Sequence, residues 1–241
     1  MSVRKVALIQ ARTRSNRYER KVLKEIDGFP VYVLVFERIK KSLNEVYFVI
    51  PKGDTDLKVE LIKSGYPFFE GPEEDVLRRY FLASQELSLR ENDIVVRATA
   101  DNPLVCPGVV KKTLKKALEA DYTASSFLEG FTLGIGVEAF TFKMLREADK
   151  RATSLYQREH VTPYIRENAP IKKFPEPKWY EAVPLRLTLD YFEDHLFLNL
   201  LFKLLKKNPM EVSMKDIASL WKKNPLLADY SKRLFSSAYE L

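Results

Sequence analysis

Leu8-Ile9-Gln10-Ala11-Arg12-Thr13-Arg14-Ser15-Asn16-Arg17-Tyr18-Glu19-Arg20-Lys21 is the stretch from which the rest of the chain is read. It continues the apolar run Val6-Ala7-Leu8-Ile9, which reads as a strand, and passes directly into a polar loop. The loop carries Arg12, Arg14, Arg17, Arg20 and Lys21 with a single carboxylate, Glu19. Cations crowded so closely repel one another, and a polyanion placed among them would relieve the repulsion. Arginine forks match phosphate oxygens, and a lysine serves as a point charge. The loop after the first strand of an α/β sheet lies at the carboxyl edge, where such sheets bind ligands. A triphosphate-binding loop is therefore expected, although the glycines of a Walker loop or of G-x-G-x-x-G are missing. Basic surface loops without a ligand are common, so downstream residues decide.

Outward from this loop, strand and helix alternate. Residues 22–26 lead to the turn Asp27-Gly28, and Pro30 suits the start of a helix whose apolar face is Val31, Leu34, Val35 and Ile39. The apolar run 46–50 reads as a buried parallel strand. Asp54 or Thr55 caps a helix ending near Lys63. A short strand over 67–69, a helix over 73–87, a strand over 93–98 and a helix over 108–118 follow. This order predicts an α/β fold with a doubly wound, mostly parallel sheet and right-handed crossovers.

From Tyr122 the rhythm changes to a strand over 122–125 and an extended, hairpin-like insertion over 131–140 that contains Gly134 and Gly136. Helices near 141–150 and 156–167 and an alternating strand over 185–189 come next. The last third is a helical tail. Leu196, Phe197, Leu200, Leu201, Leu204 and Leu205 form one apolar stripe, read as packing on the protein rather than on a membrane. Ser213 and Asp216 have capping-box spacing, and Asn224-Pro225 opens another helix.

Composition narrows the partners. The 241 residues are 46% hydrophobic and 30% charged, which is ordinary for a folded domain. An excess of 40 Lys+Arg over 33 Asp+Glu gives net +7 and favours anionic ligands without choosing among them. Cys106 is the single cysteine, so an internal disulfide and a thiolate zinc cluster are excluded. Neither a leader peptide nor a run of membrane-spanning length is recognised, and a cytoplasmic location is expected.

Two carboxylates stand where chemistry would be done. Asp101 follows the strand over 93–98, and Asp190 ends the strand over 185–189. If both strands are parallel members of one sheet, both side chains emerge at the edge that carries the basic loop. A carboxylate pair beside such a loop can hold a nucleoside triphosphate through Mg²⁺, which takes one or two carboxylates plus phosphate oxygens.

Ile9-Gln10-Ala11-Arg12, Ser15, Arg17 and Lys21-Val22-Leu23 resemble the signature of the cytidylyltransferase-like nucleotidyltransferases, which include enzymes making CMP-Kdo and CMP-sialic acid. Glu74–Tyr80, Asp101-Asn102-Pro103-Leu104, Val137-Glu138, Arg158–Ile165 and Leu189-Asp190 bring the chain closest to the spore-coat polysaccharide (SpsF-like) branch. The resemblance implies a Rossmann-like, GT-A-type domain over 1–241, with a nucleotide-binding half over 1–120, an acceptor half over 121–190 and a tail over 191–241. It implies CTP as substrate, Mg²⁺ as cofactor, a sugar or sugar acid as acceptor, and a homodimer, for which residues 127–140 are the expected interface. Carried onto this chain, Gln10 and Ala11 line the cytosine and ribose through backbone contacts. Arg12, Ser15, Arg17 and Lys21 hold the triphosphate, and Asp101 and Asp190 hold the metal. Arg12, Lys21, Asp101 and Asp190 form the catalytic set, while Glu138, Arg158, His160 and Thr162 lie on the acceptor side. The chain departs from the family at Arg14, usually a small residue, at Glu19-Arg20, usually Pro-Gly, at Ala100, usually glycine, and at Gly136, often aspartate.

Three further readings fit parts of the pattern. One is a nucleotide-sugar-dependent glycosyltransferase on the same fold. Another is a catalytically silent nucleotide-binding member, suggested by the departures. The third is a nucleic-acid-binding protein, suggested by the basic charge, but residues 213–235 read better as short packed helices than as a recognition helix.

Overall fold

The computed structural model describes residues 2–126, 129–169 and 174–231. At its centre is β1 (Lys5–Gln10), in which Val6, Ala7, Leu8 and Ile9 have no exposed surface. A strand covered on both faces must be apolar without alternation, which is how this run reads. Ala7 and Ile9 pack into one core cluster and Val6 and Leu8 into another on the opposite face.

After β1 come the two-residue strands β2 (Glu25–Ile26) and β3 (Phe29–Pro30), paired as a hairpin, then α1 (Val31–Lys40) and β4 (Glu45–Pro51). The helix α2 (Thr55–Lys63) leads to β5 (Phe68–Gly71), and α3 (Val76–Glu86) crosses back to β6 (Ile94–Thr99), followed by α4 (Pro107–Ala117). β7 (Tyr122–Ala124) and β8 (Glu138–Thr141) then close the sheet, whose order is β5-β4-β1-β6-β8-β7. β5, β4, β1 and β6 run parallel, while β8 is antiparallel to both neighbours. The chain winds outward from β1 through β4 to β5, then restarts on the other side at β6. The switch point lies between the carboxyl ends of β1 and β6, where the loop Arg12–Lys21 and Asp101 emerge, and where open α/β sheets leave a crevice.

Further helices complete the layers: α5 (Phe142–Arg151), α6 (Leu155–His160), α7 (Pro163–Asn168), a 3₁₀ turn at Trp179–Glu181, α8 (Phe192–Leu205) and α9 (Met214–Lys223). α8 and α9 bury Phe197, Leu198, Leu201, Ile217 and Ala218 in a third core cluster with Leu185, Leu187 and Leu189. The Ser213–Asp216 capping box at the start of α9 forms as its spacing predicts, and residues 226–231 are helical. Among the described residues, no helix is long and apolar enough to cross a membrane.

Several local expectations change. Residues 22–26, read only as leading to a turn, lie in a 3₁₀ turn, Lys21–Leu23, and half of the small hairpin. The helix expected over 156–167 is two helices, because Val161 takes φ 68 between α6 and α7, a left-handed conformation that ends a helix. The tail stripe is rotated: Phe197, Leu198, Leu201 and Phe202 are buried, whereas Leu196, Leu200 and Leu204 stay 47%, 38% and 44% exposed. Most importantly, residues 185–189 are not a strand of the sheet. They form an extended segment held by one parallel bridge, Leu133 to Arg186, and by Leu187 N donating to Leu133 O and Leu189 N donating to Asp101 O.

The hairpin-like insertion is the β7–β8 pair with its long connection. Phe131, Ile135, Val137, Ala139 and Phe140 are buried within the chain, so the apolar side chains of the expected dimer interface face inward; Phe127 and Leu128 lie outside the described residues. Gly136 sits where its backbone meets that of Ser125. A Cβ there would lie 1.4 Å from Ser125 O, so the residue the family often places here as aspartate has no room in this backbone. Gly136→Ala is expected to lower stability by roughly 3 kcal/mol or to prevent folding, since backbone rather than a movable side chain is in the way. Urea melts of the two proteins at one pH decide this; a loss under about 0.5 kcal/mol would show that the strands can separate at little cost.

Candidate active site

Lys21 follows Arg20, which stands at φ 56 as the cap of the 3₁₀ turn, and this reversal turns the lysine inward. Its Nζ donates to Asp101 Oδ2 at 2.8 Å and to Asp190 Oδ1 at 2.9 Å. The side chains of Lys21, Asp101 and Asp190 are 10%, 27% and 13% exposed. Burial works against the Lys21 charge, but the two carboxylates outweigh it and raise the lysine above its ordinary pKa. Burial likewise pushes Asp101 up, yet the Lys21 charge and hydrogen bond, with help from Thr99, hold its carboxyl below the usual range. The two distant aspartates therefore meet on one ammonium, although Asp190 arrives on a segment outside the sheet and, unlike Asp101, does not line the adjoining cavity.

Asp190 is fixed more tightly than Asp101. Arg17 Nη2 donates to its Oδ1 at 2.5 Å and Arg186 Nη2 to its Oδ2 at 2.5 Å. Arg186 Nε also donates to Asp194 Oδ1 at 3.0 Å, and Asp194 Oδ2 accepts from the backbone N–H groups of Asp190 and Tyr191 at the start of α8. A negative side chain at a helix start satisfies free N–H groups and is favoured by the dipole. Arg186 and Asp194 were not singled out from the sequence; Leu-Arg-Leu-Thr-Leu reads as plain alternation.

The basic loop is less isolated than its sequence suggests. Its cations reach carboxylates brought from elsewhere: Arg14 pairs with Glu73 at 3.0 Å, Arg20 with Asp56 at 2.5 Å and Arg12, loosely, with Glu159 at 3.8 Å. The loop itself is pinned by Asp54, the cap of α2, which accepts from Thr13 N at 2.7 Å and Thr13 Oγ1 at 2.8 Å. Exposed pairs of this kind contribute about 1 kcal/mol or less each. They leave Arg12 and Arg14 available to a stronger anion. Arg14, with a side chain 82% exposed, reaches Glu73 and lines the adjoining cavity as an added charge.

A cavity of about 840 Å³ opens at this edge. Gln10, Ala11, Arg12, Ser15, Arg17, Lys21, Asp101 and His160 line it, so eight of the sequence-derived residues meet there. The backbone of Gln10 and Ala11 is partly engaged already: Gln10 O accepts from Ala100 N, and Ala11 N donates to Val49 O. Ala100, where the family has glycine, is 2% exposed and fits this contact. Sequence reasoning missed Arg79 and Arg97, which also line the cavity. Arg79 Nη2 donates to Pro72 O and Glu73 O, and burial lowers its pKa to about 10. Arg97 reads as an interruption in an apolar strand, which was the available signal.

On the acceptor side the expected residues divide. Glu138 accepts from Arg97 Nη1 at 2.7 Å, Tyr122 OH at 2.7 Å and Thr162 Oγ1 at 3.1 Å, so Glu138 and Thr162 stand together behind Arg97. Arg158 does not face the cavity. Its guanidinium is taken up by both oxygens of Asp75 and by Asp149, tying α6 to the start of α3 and to α5. His195, outside the cavity, is structural: Nε2 donates to Glu25 O at 2.7 Å, leaving Nδ1 to accept from Tyr18 OH at 2.9 Å.

A crevice at the switch point of a mostly parallel sheet, edged by arginines and a lysine–dicarboxylate cluster, defines a nucleotidyltransferase-type site. The family model described as cytidylyltransferase matches residues 6–233, and the chain belongs to that family. It is 34% identical to an uncharacterized protein of Methanocaldococcus jannaschii over 97% of each chain. It is 27% identical to the spore coat polysaccharide biosynthesis protein SpsF of Bacillus subtilis, over 90% of this chain and 94% of that one. A cytidylyltransferase from Leptospira borgpetersenii superposes with a TM-score of 0.80 at 26% identity, over 94% of this chain and 97% of that one.

Removing the cation leaves two carboxylates facing each other. Lys21→Met is expected to lower stability at pH 7 by roughly 2 kcal/mol, less than for a fully buried pair because Asp101 is partly solvated and Arg17 and Arg186 still serve Asp190. Because the folded pKa of Asp101 is depressed, its contribution is complete above the unfolded value of about 3.9 and disappears as pH falls through the folded value. Urea melts from pH 7 down to about pH 2 should therefore show the gap between wild type and Lys21→Met closing. A gap independent of pH would assign the loss to packing instead.

Proposed function

We propose that the chain transfers CMP from CTP to a hydroxyl of a sugar or sugar acid, releasing pyrophosphate, as a cytoplasmic homodimeric enzyme of surface-polysaccharide synthesis. The observation that carries this reading is the Lys21 ammonium held between Asp101 and Asp190 on the edge of a cavity rich in arginine. The name of the Bacillus subtilis relative supports the polysaccharide context. Any dimer surface lies outside the buried apolar residues of the β7–β8 connection.

The residues present fit Mg²⁺. Two carboxylates already close on one cation, the Lys21 ammonium, and two carboxylates plus phosphate oxygens are the donor set this ion takes. Asp101 and Asp190 would hold it, and when bound it would neutralise charge on the transferring phosphate. The chain's own residues do the rest. Arg12, Ser15 and Arg17 take the phosphate oxygens as Arg12 leaves its loose pair with Glu159. Lys21, drawn from the carboxylates toward the phosphates, supplies a positive charge as the bond from the α-phosphorus to the leaving oxygen breaks and the bond to the acceptor hydroxyl forms. Gln10 Oε1 and Arg97 Nε are buried without partners, and both residues line the cavity, so a ligand bearing donors and acceptors would complete them.

The test is a thermal-shift panel of CTP, UTP, ATP and GTP with Mg²⁺, followed by pyrophosphate release with candidate sugar acids. CTP at about 100 times its Kd should raise stability by roughly 2.7 kcal/mol, or about 5–10 °C, and the other bases less. Asp101→Asn is expected to lower pyrophosphate release by at least about 100-fold, and Lys21→Ala to weaken the CTP shift as well. No shift with any nucleotide would remove the basis of the proposal. A glycosidic product formed from a nucleotide sugar without pyrophosphate would favour the glycosyltransferase reading.

A further inference from the structure

A second cavity, of about 310 Å³, lies away from the catalytic cleft and shares no lining residue with it. It sits where the helical tail docks on the sheet layer, between α1, the start of α4 and the α8–α9 connection. One wall is Arg38, which is 2% exposed. Its Nε donates to Val105 O at 2.9 Å and its Nη1 to Pro209 O at 3.2 Å. Among the described residues no carboxylate pairs with it. A charged group this deep ordinarily has a counter-ion, because carbonyl dipoles only partly replace its hydration. Burial accordingly lowers its pKa to about 10.

The rest of the lining extends the same character. Lys41 and Lys215 stand at the cavity, while Glu181 is already taken by Lys112 at 2.5 Å and by the backbone N–H of Lys178 at 2.9 Å. Met210, Val212 and Met214 supply an apolar wall from the tail. The volume is at the lower end of the range for small-molecule sites, and apolar walls with one buried charge are their usual composition.

We propose that this cavity binds a small organic carboxylate whose headgroup meets Arg38 and whose apolar body lies among Met210, Val212 and Met214, clamping the tail to the sheet layer. The chain provides its own reporter, because Cys106 is the single cysteine, is partly exposed and lines this cavity. The experiment follows the rate at which a thiol reagent modifies Cys106 in the full chain, with benzoate as probe. At about ten times its Kd, benzoate should slow modification about tenfold, with a parallel rise in melting temperature. CTP with Mg²⁺ should give no protection, which separates this site from the catalytic one. Lys215→Glu, a rim substitution that leaves Arg38 in place, should shift the benzoate dependence to higher concentration, and Arg38→Lys should do so more strongly. Absence of protection up to the solubility limit of benzoate would overturn the proposal. So would equal protection by benzyl alcohol, which lacks the charge, or by inorganic phosphate, which lacks the apolar body.

Discussion

One ammonium group fixes the geometry on which the cleft depends. Asp101 and Asp190 are 89 positions apart in sequence and sit on segments with different supports, one at the end of a sheet strand and the other outside the sheet. Like charges so close would drive the segments apart or force one carboxyl to take up a proton. Lys21 removes that conflict by donating to both. The opposed shifts, Lys21 up and Asp101 down, express the same fact: each group's charged form is stabilised by the other more than burial disfavours it.

The rest of the arrangement brings the lysine to that point. Arg20 takes a left-handed conformation that costs a non-glycine residue on the order of 1 kcal/mol, at the place where the family usually has glycine. The cost is offset by local contacts: Arg20 N donates to Thr13 O, and its guanidinium pairs with Asp56. Asp54 anchors Thr13 from the next crossover. The loop is thus bound at its start and its end by the cap and first turn of α2, and Lys21 follows with its direction already set. The unusual residues at Glu19-Arg20 are accommodated by partners outside the loop.

Much of this was legible. The apolar run over β1, the regular alternation to residue 120 and the basic loop after β1 establish the layers and the edge at which a ligand would sit. Local patterns carry this information because helix and strand periods and caps are written within a few residues of where they act. What the sequence hid was long-range pairing. The loop appears as an unbalanced run of cations only because Asp56, Glu73 and Glu159 lie far along the chain. Arg158 shares a motif with His160, but the two-residue offset, about half a helical turn, sends it to Asp75 and Asp149 instead of the cavity. Residues 185–189 alternate as a strand does, yet extended backbone needs no continuous ladder, and the pattern cannot say which partners it will find. The aspartate the family often places at Gly136 gives way to glycine because two backbones meet there, a contact invisible from either segment alone.

The two carboxylates also rest on different cores, and this shapes how the cleft can respond. Asp101 follows β6, whose neighbours β1 and β8 hold it by continuous ladders. Asp190 belongs to the layer built by residues 185–189 with α8 and α9. Between the layers, the polar ties near Asp190 are the Lys21 bridge, the Arg17–Asp190 pair and Leu189 N donating to Asp101 O. Further along α8, His195 and Asn199 bind the β2–β3 hairpin, and the tail shares an apolar core with Val31, Leu34 and Val109. Sheet ladders open only with the whole fold, whereas the side-chain ties around Asp190 open locally at lower cost. A displacement of Asp190 would therefore break its ties to Lys21 and Arg17, which belong to the loop, while leaving Asp101 in place. On the proposed reading, a triphosphate that draws Lys21 toward its oxygens would weaken the tie between the two aspartates, and its own negative charge would then hold Arg17 and the lysine in register. The cleft is built so that the cation joining its two walls in the structure is the same one that an incoming polyanion would engage.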